Sequence, residues 1–88
     1  KSEVYKPFNT HSLKLSKGSL LYLFTDGFAD QFGGPKGKKF KYRQFSDLLF
    51  SNKNLPMKEQ CKLLEKAFLD WKGSMEQVDD VCVIGLKL

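Results

Sequence analysis

Residues 11–15, His-Ser-Leu-Lys-Leu, alternate weakly between polar and apolar and predict a strand. Ser16-Lys17-Gly18-Ser19 is turn chemistry, with Gly18 suited to a positive φ. Leu20-Leu21-Tyr22-Leu23-Phe24 follows as a continuous apolar run of strand length, the pattern of a strand buried on both faces. Two such runs joined by a short Gly-containing turn predict a hairpin. From Phe28 to Lys41 the pattern breaks up. Gly33, Gly34, Pro35 and Gly37 interrupt any regular element, and the lysines between them predict a long solvated loop, functional or mobile.

Regularity returns at Phe45, Leu48 and Leu49, whose i, i+3, i+4 spacing predicts a short amphipathic helix over 42–50. Residues 51–55 read as a polar linker, and Pro56 suits a first helical turn. Met57, Cys61, Leu64, Phe68 and Trp71 then step by 4, 3, 4 and 3, which predicts a helix over 56–72 stopped by Gly73. The β-branched run Val81-Cys82-Val83-Ile84-Gly85-Leu86 predicts another buried strand. The order β-β-loop-α-α-β points to the α+β class, an antiparallel sheet with two helices packed on one face.

At 88 residues the chain is one small domain, able to bury about 64% of its unfolded surface. Its apolar content of 41% excludes wholesale disorder, and no apolar run approaches the roughly 18 residues of a membrane span. The start, Lys-Ser-Glu-Val-Tyr-Lys-Pro, has neither an initiator Met nor a signal-type stretch, so the sequence reads as a piece of something longer. Fifteen basic against ten acidic residues give a net charge of +5, which favours an anionic partner. Cys61 and Cys82 sit in apolar patterns and read as small buried hydrophobes of a reducing cytoplasm.

Two acidic sites stand out by placement. Asp26 directly follows the run 20–24, and Asp79-Asp80 directly precede the run 81–86. Antiparallel neighbours would bring these carboxylates to one rim of the sheet, a sensible place for a hard cation such as Mg²⁺ or Mn²⁺. Spacing alone favours the plainer reading, an Asp-Gly turn and carboxylates that only satisfy backbone amides. Lys36, Lys38, Lys39, Lys41 and Arg43 put five cations into eight positions beside Phe40 and Tyr42. They suit steering of a phosphorylated protein, phosphate contacts with nucleic acid, or simple solubilisation of a flexible flap. The glycines nearby lack the spacing of a phosphate-binding loop. His11 lies in a polar stretch without a nucleophile or ligand motif and is not expected to be catalytic, Phe68 and Trp71 are expected in the core, and Ser12, Ser19, Ser46 and Ser74 lack a nucleophile-elbow context.

The segment from Leu20 to Asp30, centred on Thr25-Asp26-Gly27, resembles the "lyLyTDGl-x-E" motif of PPM-type (protein phosphatase 2C-like) serine/threonine phosphatases of the stage II sporulation protein E class. Leu15 to Ser19 is similar to that class's "L-x-x-G-D" turn, with Ser19 in place of its Asp. Phe40 through Leu49 is similar to its "f-G-x-x-r-l" helix start, and Val78 through Ile84 to its "D-D-x-t-x-l-v" closing strand. Two acidic motifs in order, about fifty residues apart with helices between, make the resemblance specific, and it covers most of residues 12–88.

The resemblance implies a partial PPM-type fold, with residues 1–88 as the C-terminal portion of one phosphatase domain. It implies two Mn²⁺ or Mg²⁺ ions in the complete domain, activating a water that hydrolyses phosphoserine or phosphothreonine. Asp26 and Asp79 would be metal ligands, Gly27 and Asp80 would support them, and no catalytic residue is implied beyond the ligands. Asp30 stands where many members have Glu and takes no assigned role. The family's upstream bridging Asp-Gly is not in this sequence, whose one Asp-Gly is Asp26-Gly27. The chain is therefore expected to hold at most half a metal site and to be inactive alone. The implied setting is bacterial, cytoplasmic signal transduction, with upstream sensor domains that can anchor the parent, a phosphorylated regulatory protein as substrate and no specific nucleic acid. Two alternatives stand beside it: a basic module binding nucleic acid or an acidic protein through Lys36–Arg43, and a non-catalytic phosphatase-like interaction domain.

Overall fold

The computed structural model describes residues 10–77 and 79–88. Residues 1–9, including the polar start, and Val78 of the closing motif lie outside the described residues. The elements run β1 (Thr10–Leu15), β2 (Leu20–Thr25), β3 (Phe32–Gly33), β4 (Lys38–Lys39), α1 (Tyr42–Ser51), α2 (Met57–Lys72) and β5 (Val83–Lys87). β2 is the centre of a three-stranded antiparallel sheet, between β1 and β5. The predicted hairpin, both helices and the last strand are all present, and the architecture is α+β. None of the helices among the described residues is long and apolar enough to cross a membrane.

The sheet is covered on one face. Leu20, Tyr22 and Phe24 of β2 are buried with Phe45 and Leu49 of α1 and Phe68 of α2, while Leu21 and Leu23 on the opposite face are half-buried. The expectation that β2 is buried on both faces is thus corrected, because the helices pack on one side only. The same holds for the last strand. β5 is an edge strand with Ile84 and Leu86 on the open face, 47% and 41% exposed. Cys82 precedes it and is exposed, as is Cys61 on α2, so neither thiol is the buried hydrophobe that its neighbours imply.

Segment 28–41 departs most from expectation. It is an arm carrying the short hairpin β3–β4, and it contributes Phe28, Ala29, Gln31 and Phe40 to the interior. The Phe28 ring lies 4.8–5.1 Å from those of Phe40, Phe45 and Phe68. The Trp71 indole N–H donates to the Gln31 carbonyl at 2.9 Å, and the Gly34 N–H donates to the Trp71 carbonyl at 2.9 Å. Gly33 is there for close approach: a Cβ would come within 1.9 Å of the Trp71 carbonyl oxygen. Glycines that read as breakers are the positions where the arm meets the end of α2.

The α2 stripe also carries a polar residue that periodicity does not reveal. Gln60 is buried, accepts the Tyr22 hydroxyl at 2.5 Å through Oε1, and donates to the Leu55 carbonyl at 2.8 Å. Burial holds the Tyr22 phenol above its ordinary pKa of 10.0. A raised phenol contributes stability that is fully present below the unfolded value and is lost as pH rises through the folded one. Tyr22→Phe is expected to cost about 1–3 kcal/mol at neutral pH, because it leaves the Gln60 oxygen buried without a donor. That gap should narrow above about pH 10 as the wild type loses its tyrosine contribution. Denaturant unfolding of both chains at pH 7 and at pH 10.5–11 checks the magnitude and the sign.

Candidate metal centre

The sheet register decides what meets at the rim. β2 and β5 pair antiparallel with Phe24 opposite Val83, so the end of β2 lies beside the start of β5. Three hydrogen bonds extend that contact beyond the ladder. The Thr25 N–H donates to the Cys82 carbonyl at 3.1 Å, the Thr25 hydroxyl to the Asp80 carbonyl at 3.1 Å, and the Cys82 N–H to the Thr25 hydroxyl at 3.2 Å. Gly27 completes the junction: a Cβ on it would fall 2.1 Å from the Asp80 carbonyl oxygen and 3.2 Å from the Val81 Cα. The backbone therefore brings the segments Asp26-Gly27 and Asp79-Asp80 together at one rim, the antiparallel adjacency that the sequence reading expects.

The side chains show how far that convergence goes. Asp79 and Asp80 are exposed, and the Asp79 carboxylate accepts the Asp80 N–H at 2.8 Å. The Asp26 carboxylate is engaged by a residue that sequence reasoning set aside, His11, whose Nε2 contacts Asp26 Oδ1. Asp30 is turned to Lys39 at 3.8 Å. Among the described residues no group of three or more His, Cys, Asp or Glu is close enough to hold a metal ion. The donor set nevertheless fits Mg²⁺ or Mn²⁺ in kind. It consists of hard carboxylate oxygens with solvent access, and such ions commonly take only one or two protein carboxylates and fill the remaining positions with water.

Lys36, Lys38, Lys39, Lys41 and Arg43 are all exposed on the arm. Besides its approach to Asp30, Lys39 lies over the Phe32 ring, 5.8 Å from its centre. The arm returns to the body close to the rim. The Lys41 N–H donates to the Ala29 carbonyl at 2.7 Å, and the Tyr42 ring lies 5.7 Å from Phe24, the residue two before Asp26.

Lys41 itself has φ 78 and ψ 151 as it caps α1. Only glycine occupies that region without strain, which for other residues costs about 1–3 kcal/mol. Lys41→Gly is expected to stabilise the chain by about 1 kcal/mol after the entropy of glycine is subtracted. Thermal unfolding should show a midpoint about 4–8 °C higher; a lower midpoint would mean that the lysine side chain contributes more than its backbone costs.

The chain is similar to known proteins in sequence and in fold. The family described as Stage II sporulation protein E (SpoIIE) matches residues 2–88. The solved structure of the SiaA-PP2C domain of Pseudomonas aeruginosa is similar, with a TM-score of 0.76 and 33% identity over 78% of this chain. The chain spans 28% of the length of that structure. No curated protein matches it.

Proposed function

Because the chain belongs to the stage II sporulation protein E family, we propose that it is the C-terminal portion of a PPM-type serine/threonine phosphatase domain and supplies Asp26 and Asp79 to a Mn²⁺ or Mg²⁺ centre. The observation that carries this reading is the packing of Gly27 under the Asp80 carbonyl, which sets both acidic motifs on one rim. Asp26 and Asp79 would hold the ions. Asp80 and Gly27, which meet at the backbone junction with Thr25 and Cys82, would support them. When bound, the ions supply Lewis acidity and a nucleophile at neutral pH for attack on a phosphoserine or phosphothreonine ester.

The open sheet face fits the same reading. Leu21, Leu23, Ile84 and Leu86 lie on it, an apolar surface that the rest of a phosphatase domain would cover. The basic arm, fixed to the body by Trp71, would draw a phosphorylated regulatory protein toward the rim. The cellular role that follows is bacterial cytoplasmic signalling under upstream sensor domains.

A chimera tests the activity: this chain replaces the segment it matches in the SiaA PP2C domain. The expected result is Mn²⁺-dependent hydrolysis of a phosphoserine peptide. A folded chimera that binds Mn²⁺ but does not turn over would favour the non-catalytic interaction domain. Salt-sensitive binding of nucleic acid that is indifferent to Asp26→Ala would favour the basic module.

A further inference from the structure

His11 is the residue the proposed metal chemistry does not use, and its position follows from the hairpin. The turn over 16–19 pairs Leu15 with Leu20, and the ladder then places His11 opposite Phe24. Diagonal neighbours on one face of an antiparallel pair lie about 7–8 Å apart, within reach of a long side chain. His11 makes that reach to Asp26, two residues beyond Phe24, and its Nε2 contacts Oδ1. The imidazole is seated against the Phe24 ring, 5.5 Å between centres, which fixes the direction from which it approaches.

Resting on the metal reading above, we propose that His11 is a positioning residue: its Nε2–H donates to Asp26 Oδ1 and holds the carboxylate so that the second oxygen is left to ligate. Carboxylates that bind metals are themselves held by hydrogen bonds, and losing such a partner typically costs 10–100-fold in affinity. A purely structural role is disfavoured by exposure. The two side chains are 40% and 35% exposed, and a pair that open to water contributes little to folding. Two readouts therefore separate in the same variant.

The test compares the wild-type 88-residue chain with Asp26→Ala, His11→Ala and His11→Gln. Free Mn²⁺ is followed by electron paramagnetic resonance, and thermal unfolding is recorded without metal. Gln is chosen because its amide N–H falls where the imidazole Nε2–H lies. His11→Ala is expected to weaken Mn²⁺ binding about 10–100-fold, and His11→Gln to restore most of it. The metal-free unfolding midpoint should stay within about 3 °C of wild type. Wild-type affinity in His11→Ala would overturn the proposal, as would a His11→Gln chain as weak as His11→Ala. Loss of the metal-free fold in His11→Ala would overturn it too, by making the residue structural. Should wild type and Asp26→Ala bind Mn²⁺ equally, the metal reading itself fails and takes this proposal with it.

Discussion

Asp26→Ala should reduce Mn²⁺-dependent phosphopeptide hydrolysis in the chimera by about 10³-fold or more. A metal ion supplies several kcal/mol of charge stabilisation in a phosphoryl-transfer transition state. Each 1.36 kcal/mol is tenfold in rate, so about 4 kcal/mol gives roughly that factor. The side chain is 35% exposed and contacts His11 at the rim, so removing it leaves the core of Tyr22, Phe24, Phe28 and Phe45 intact. The expected signature is lost turnover with an unfolding midpoint close to that of the parent chimera. Steady-state kinetics beside thermal unfolding check both parts. Activity within tenfold of the parent would remove Asp26 from the ligand set.

Gly27→Ala is expected to have the largest effect on the chain's stability and to disturb the site as well. The added methyl would stand 2.1 Å from the Asp80 carbonyl oxygen and 2.7 Å from its carbonyl carbon. Both are backbone atoms, fixed through the Thr25 hydroxyl bonds to Asp80 and Cys82, so no flexible side chain can yield. Forced overpacking of this kind costs about 3 kcal/mol, at the upper end of the usual range. For a domain of this size that is a fall of roughly 12–24 °C in the unfolding midpoint. Relief can come only by moving β2's end away from residues 79–81, which separates the two acidic motifs. Weaker Mn²⁺ binding below the unfolding transition is therefore expected along with the lower midpoint. A Gly27→Ala chain with wild-type stability would show that the junction is looser than the contact implies.

Much of this was legible in the residues because local pattern and global fold agree there. The turn at Ser16–Ser19, the 4-3-4-3 step from Met57 to Trp71 and the Gly73 stop each point to one structure. The two acidic motifs were legible for the same reason, since each borders an apolar strand. Other features depend on who the neighbours are. A run such as Leu20–Phe24 reads alike whether one face or both are covered, and only the packing of Phe45 and Phe68 decides. Gly33 and Gly34 look like breakers until Trp71 is known to lie against them. Gln60 is polar and so drops out of an apolar stripe, although Tyr22 makes it an interior residue. His11 carried a usable signal. The four-residue turn fixes its register opposite Phe24 and hence its reach to Asp26, but a lone histidine among polar residues matches no ligand motif. In the class that the chain resembles, a glycine follows the phenylalanine of the helix-start motif; Lys41 occupies that place and keeps a glycine's backbone geometry.

The central claim, that this chain brings two acidic motifs together to hold a hard cation, is tested most directly by titrating the isotopically labelled 88-residue chain with Mn²⁺. Amide signals at Asp26, Gly27 and residues 79–81 should broaden first and together, and Asp26→Ala should abolish the effect. Uniform broadening in a well-dispersed spectrum, or broadening unchanged by Asp26→Ala, would contradict it.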